Sequence, residues 1–285
     1  MSNSSGAATP ADPSADEHPN AGRNLPVAIL VGVLLAGVAL LTLYTARWLF
    51  VALVCAAICI GVYELTGAFA HVGARVARTP LYLGVVAATF AVYQWGIEAQ
   101  LVTFGAITIF VLIWRIRRGT EGYVKDVTAS IFVAAYLPFM AGFLMLTLQY
   151  PNGPQRVIVF ICLTIASDIG GYAAGVTMGK HAIAPQISPK KSWEGFAGSV
   201  VTQVIVGSWL FIWLLDSSWW AGAITGIVMT ITATAGDFAE SAIKRDLGVK
   251  DMSQLLPGHG GLMDRLDSLV PNAFVSWAMF RLFLG

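Results

Sequence analysis

Hydrophobic residues gather into nine long runs, at about 25–44, 47–68, 80–97, 99–114, 128–149, 157–178, 196–215, 219–236 and 268–284. A helix needs about 20 apolar residues to cross the hydrocarbon of a bilayer. The pattern therefore predicts an all-α, polytopic membrane protein with about nine transmembrane helices. Residues 1–24 are rich in Ser, Ala, Pro, Asn and Asp. Too few of them are apolar to offset the entropy of ordering, so they are predicted to form a disordered tail. They lack the charged start of a secretory signal, and the first run is too long for a cleaved one. The expected division is a tail at 1–24, N-terminal membrane helices at 25–150 and a C-terminal membrane region at 151–285.

The polar breaks set the orientation. With the N-terminus in the cytoplasm, 14 of the 17 Lys and Arg fall on the cytoplasmic side, and only Arg47, Arg156 and Arg281 fall outside. That asymmetry is a positive-inside signal.

Composition then narrows the class. Hydrophobic residues make up 56% of the chain and charged residues 12%, against about 25% charged in soluble domains. A soluble enzyme and a disordered protein are excluded. A net charge of +1 gives no field for capturing nucleic acid. Cys55, Cys59 and Cys162 lie inside apolar runs, without zinc or redox spacing. Gly171, Gly175 and Gly179 form a double GxxxG, a helix-packing pattern. The following Lys180-His181 does not satisfy a nucleotide-binding P-loop.

The chemistry concentrates in residues 237–267, which hold ten of the chain's 17 basic and 16 acidic residues. Asp237, Glu240, Ser241 and Lys244 fall at i, i+3, i+4 and i+7, one face of a helix continued from the eighth run. Carboxylates and a lysine on one stripe suit a cation plus phosphate, and charge so near hydrocarbon implies function. Pro257-Gly258-His259-Gly260-Gly261 follows as a loop whose amides can approach an anion. Asp264 and Asp267 then share a helix face, and oxygen donors beside phosphates are what magnesium prefers. Ser188-Pro189-Lys190-Lys191-Ser192-Trp193-Glu194-Gly195 adds adjacent lysines on the same side as point charges for phosphate. Asp168, inside the sixth run, should face a polar cavity or a partner. Glu64 and Gln203 are isolated polar intrusions; Gln203 suits an interhelical hydrogen bond, and neither is given a function.

Together these pieces resemble the phosphatidate cytidylyltransferase, or CDP-diacylglycerol synthase, family. The long family pattern is met by Ser241, Ile243, Lys244, Arg245, Lys250, Asp251, Pro257, His259, Gly260, Gly261, Leu262, Asp264, Arg265, Leu266 and Asp267. Gly236-Asp237 and Glu240 match its lead-in. Ser188–Ser192 with Glu194-Gly195 is similar to a second family block, and Asp168, Tyr172 and Gly175 to a weaker third. Departures are Ile169, Gly171 and Met252-Ser253.

The resemblance implies transfer of CMP from CTP to phosphatidate, giving CDP-diacylglycerol and pyrophosphate. It also implies magnesium with a possible second cation, and a homodimer in a bacterial plasma membrane. The site expected on this basis has Asp237 and Asp264 on the metal. Lys190, Lys191, Ser192, Ser241, Gly260 and Gly261 hold nucleotide and phosphate. Lys244, Arg245, His259, Arg265 and Asp267 act at the reacting phosphates. The alternatives are a CTP-dependent lipid kinase or an ether-lipid cytidylyltransferase with the same nucleotide site. A secondary transporter is a reading from another class, which the dense charged block does not favour.

Overall fold

The computed structural model describes residues 25–253 and 261–285. The tail expected at 1–24, and His259 and Gly260, lie outside the described residues. All nine predicted runs are carried by helices. They are α1 (Leu25–Thr45), α2 (Arg47–His71), α3 (Arg78–Trp95) and α4 (Ile97–Ile116). A continuous unit follows, made of α5 (Tyr123–Ala134), a π-helical turn (Ala135–Phe139) and α6 (Met140–Leu148). Then come α7 (Gly153–Met178), α8 (Trp193–Leu215), α9 (Trp219–Asp246), the short α10 (Met263–Leu266) and α11 (Leu269–Leu284). Among the described residues, six of these units are long and apolar enough to cross a membrane: α2, α4, α5 through α6, α7, α8 and α9. The protein is thus a multi-pass, helical membrane protein. Large apolar side chains such as Val102, Ile113, Ile205 and Trp213 point outward, as a lipid-facing surface requires.

The helices pack through three apolar clusters, one of which joins Leu65, Leu81, Val111, Leu137 and Met263. Here α2, α3, α4 and the π turn surround the start of the C-terminal segment. The π turn contains Pro138, which has no N–H to give to an α-helical ladder. A buried ion pair closes the α4–α5 corner: Arg115 Nε lies 2.6 Å from Asp126 Oδ2, and the Arg75 amide donates to Asp126 Oδ1 at 2.7 Å.

The expected glycine packing is present between α7 and α8. A Cβ on Gly171 would sit 2.5 Å from Ser199 Oγ, and one on Gly170 would sit 2.7 Å from the Gly198 carbonyl oxygen. The two backbones approach too closely for larger residues. Gly170→Val should therefore lower stability by about 1–3 kcal/mol, the usual effect of overpacking. Thermal unfolding in detergent measures it, and an unchanged midpoint would show that the seam can open.

One element departs from the all-α expectation. Strands β1 (Ala182–Ala184) and β2 (Ser188–Ser192) pair antiparallel between α7 and α8. Glu194 secures this ribbon, since its Oε2 accepts from the Lys180 and His181 amides and its Oε1 lies 2.6 Å from His181 Nδ1. The end of α7 is tied in this way to the start of α8, with Lys191 and Ser192 held between them.

Candidate active site

Three helices and the ribbon enclose a cavity of about 270 Å³. Asp168 and Gly171 of α7, Lys191 and Ser192 of β2, Ser199 of α8 and Asp237 of α9 are among its lining residues. Asp168 thus faces a polar cavity, as its position in an apolar run demanded. The Lys191 ammonium pairs with Asp237 Oδ2. Burial pulls that ammonium below its ordinary pKa, while the charges of Asp267, Asp168 and Glu240 hold it up and Lys244 lowers it further. Ser192 accepts from the Gly195 amide at 3.1 Å and so caps α8, as serine does at helix starts. Its hydroxyl proton remains able to meet a ligand.

A second charge cluster stands beside the first. The helix predicted through Asp237, Glu240, Ser241 and Lys244 is the last part of α9. Lys244 Nζ reaches Glu240 Oε2 at 3.1 Å and Asp264 Oδ1 at 2.8 Å. It therefore does more than form the i, i+4 surface pair its spacing allows. Glu240 is 1% exposed. Asp267 is near enough to act electrostatically on Lys191. Burial pushes the Asp267 carboxyl above its ordinary range, opposed first by a hydrogen bond with Glu240, then by the Ser268 amide and by the charges of Lys191 and Lys244.

Other expected residues sit differently. Asp264 Oδ2 accepts from the Met252 and Gly261 amides at 3.2 and 2.9 Å. The Gly261 N–H, expected to face a phosphate, is thereby directed at Asp264. Arg245 is exposed and donates from Nε to the Ile187 carbonyl at 2.7 Å, which braces the ribbon. Arg265 is exposed and Ser241 half-buried. Lys190 lies in β2. Gln203 is fully buried, yet neither of its amide atoms is paired; the expected interhelical hydrogen bond is not formed among the described residues.

The model of the cytidylyltransferase family matches residues 26–283. The chain belongs to this family. It is 39% identical over 280 residues to a protein of Mycobacterium leprae (strain TN) named phosphatidate cytidylyltransferase, covering 93% of this chain and 90% of that one. A protein of the same name from Mycobacterium bovis (strain ATCC BAA-935 / AF2122/97) is 38% identical over 281 residues, covering 94% and 92%. A third, from Haemophilus influenzae (strain ATCC 51907 / DSM 11121 / KW20 / Rd), is 42% identical over 145 residues, 47% of this chain and 50% of its own.

The family's charged segment is also met by residues that the sequence reading left without a role. Glu64 of α2 is 2% exposed, and it receives hydrogen bonds from Ser253, Leu262 and Met263. Its only signal in the sequence was a lone acid in an apolar run. Tyr136, on the π turn, has a buried hydroxyl with no partner among the described residues. Pro138 two residues on marked that turn as irregular.

Proposed function

We propose that this chain transfers CMP from CTP to phosphatidate, giving CDP-diacylglycerol and pyrophosphate for phospholipid synthesis. The observation that carries the reading is the meeting of Lys191 and Asp237 at one cavity, in a chain of the cytidylyltransferase family. The names of its relatives supply the lipid substrate.

The chemistry asks little of a protein base. A phosphatidate oxygen, already anionic at neutral pH, forms a bond to the α-phosphorus of CTP. The bond to the oxygen that bridges to the β-phosphorus breaks, and its electron pair leaves with pyrophosphate. Positioning and charge neutralisation dominate such transfers. In this reading Lys191, with Lys190 and Ser192, holds phosphate at the cavity. Lys244, Arg245 and Arg265 balance the triphosphate and the leaving group. Ser241 and Asp267 orient that set, and His259 with the Gly260 amide completes it. Gly261 is kept here for close backbone approach, its amide serving Asp264.

The donors suit magnesium, which takes one or two carboxylates and fills its shell with water and phosphate oxygens. Asp237 presents a carboxylate at the cavity, and Asp264 would join it. Bound there, the cation would neutralise the charge that develops on the phosphates.

The remaining parts of the reading are nine spans, a cytoplasmic N-terminus and a cytoplasmic active site in a bacterial plasma membrane. They are supported by the distribution of Lys and Arg over the polar breaks. A homodimer, and no nucleic-acid partner, complete it.

The test is purified protein in detergent with phosphatidate, magnesium and CTP labelled at the α-phosphate. Label should move into a lipid-extractable CDP product. Transfer of γ-label to lipid instead would make the protein a CTP-dependent lipid kinase.

A further inference from the structure

We infer that Glu64 is a positioning residue: from α2 it fixes the segment that carries Asp264, and through Asp264 it sets Lys244. The inference deepens the transferase reading and rests on it. Glu64 Oε1 accepts from Ser253 Oγ at 2.5 Å and from the Leu262 amide at 3.0 Å. Its Oε2 accepts from the Met263 amide at 2.6 Å. Gly261 passes so close that a Cβ there would sit 2.9 Å from Glu64 Oε2.

The same face of α2 makes the apolar half of the contact. Gly61, one turn earlier, faces Leu266: a Cβ at Gly61 would be in ordinary contact, 3.5 Å from Leu266 Cδ1. Residues three apart on a helix point the same way, so α2 meets α10 with an apolar contact and a carboxylate side by side. The carboxylate is then passed on as geometry. Residues 261–263 hang from Glu64, the Gly261 and Met252 amides hold Asp264 Oδ2, and Asp264 Oδ1 holds Lys244 Nζ.

A general packing role would be served by any side chain of similar size. A positioning role needs two acceptor oxygens, because the three groups among the described residues that hydrogen-bond to Glu64 are donors. Glutamine keeps the shape but sets an N–H₂ against one side of that set. Glu64→Gln should therefore lower kcat at least ~tenfold while KM for CTP changes less than ~threefold, the signature of a displaced reacting group rather than lost ground-state binding. Asp126→Asn, which breaks the buried pair with Arg115 far from these residues in the chain, is the control for instability alone. It should lower the unfolding temperature and leave kcat of the folded protein unchanged.

Amide hydrogen exchange over residues 261–268 gives a readout independent of activity. Exchange there should rise at least ~tenfold in Glu64→Gln and stay at the wild-type level in Asp126→Asn. If Glu64→Gln does not fold, Glu64→Asp and Ser253→Ala replace it, with Ser253→Ala the milder because one of three bonds is lost. Wild-type kcat in the folded variants, or unchanged exchange over 261–268, overturns the inference. A wild-type protein that makes no CDP-lipid defeats the transferase reading instead, and the exchange measurement still decides whether Glu64 holds the segment.

Discussion

Lys244→Met should cut the rate of CDP-lipid formation at least tenfold, since a hydrogen bond to a charged group contributes about 1.5–3 kcal/mol. The same change should weaken the fold. Lys244 lies between Glu240 and Asp264, and Glu240 is almost fully enclosed. Removing one partner of a buried pair strands the other charge. The two effects can be separated. Adding Glu240→Gln to Lys244→Met removes the more deeply buried of the two carboxylates that lose Lys244, so thermal stability should recover in part while the rate stays low. A single variant with wild-type kcat/KM would take Lys244 out of the reaction and leave it as a structural cation.

Asp237→Asn should lose still more, at least ~100-fold in kcat, because a bound cation contributes several kcal/mol of charge stabilisation. Asparagine preserves the side-chain shape at the cavity and keeps an oxygen toward Lys191, so the protein should fold and insert. The informative measurement is the rate as a function of magnesium concentration. The variant should need far more magnesium for what activity remains. Saturation at the wild-type concentration, with wild-type kcat, would move the metal away from Asp237. Lys191→Met makes a useful contrast, since it removes the cation paired with Asp237 while leaving the carboxylate at the cavity.

Much of this arrangement was legible because membrane sequences make charge conspicuous. Every predicted run became a helix, since apolar residues in lipid leave the backbone no other way to satisfy its N–H and C=O groups. The stripe from Asp237 to Lys244 was readable for the same reason: a helix leaving the membrane keeps its phase, and spacing alone placed those residues together. Asp168 could be assigned to a polar cavity because an ionised group is expensive anywhere else.

What escaped the sequence was contact across long separations. Nothing local to Glu64 shows that its partners lie almost two hundred positions away. Nor did the segment containing Lys190 and Lys191 announce a paired ribbon, because its strands are short and Pro189 argues against regular pairing. Asp264 was recognised as a ligand-type carboxylate, but its amide donors come from Met252 and Gly261, which no spacing rule connects. Gln203 departed from expectation in the opposite direction, since its buried amide meets no hydrogen-bond partner among the described residues.

The reach of Glu64 also bears on how the protein is made. Its bond to Met263 joins positions separated by 199 residues, so the charged centre cannot close until residue 263 has left the ribosome. Until then the second helix waits in a half-built bundle, its carboxylate without the Leu262 and Met263 amides. Native contacts of this length are slow to form and leave intermediates exposed. The segment after residue 261 therefore closes the charged centre during biogenesis, and a nascent chain halted before it would be inserted with that centre unfinished.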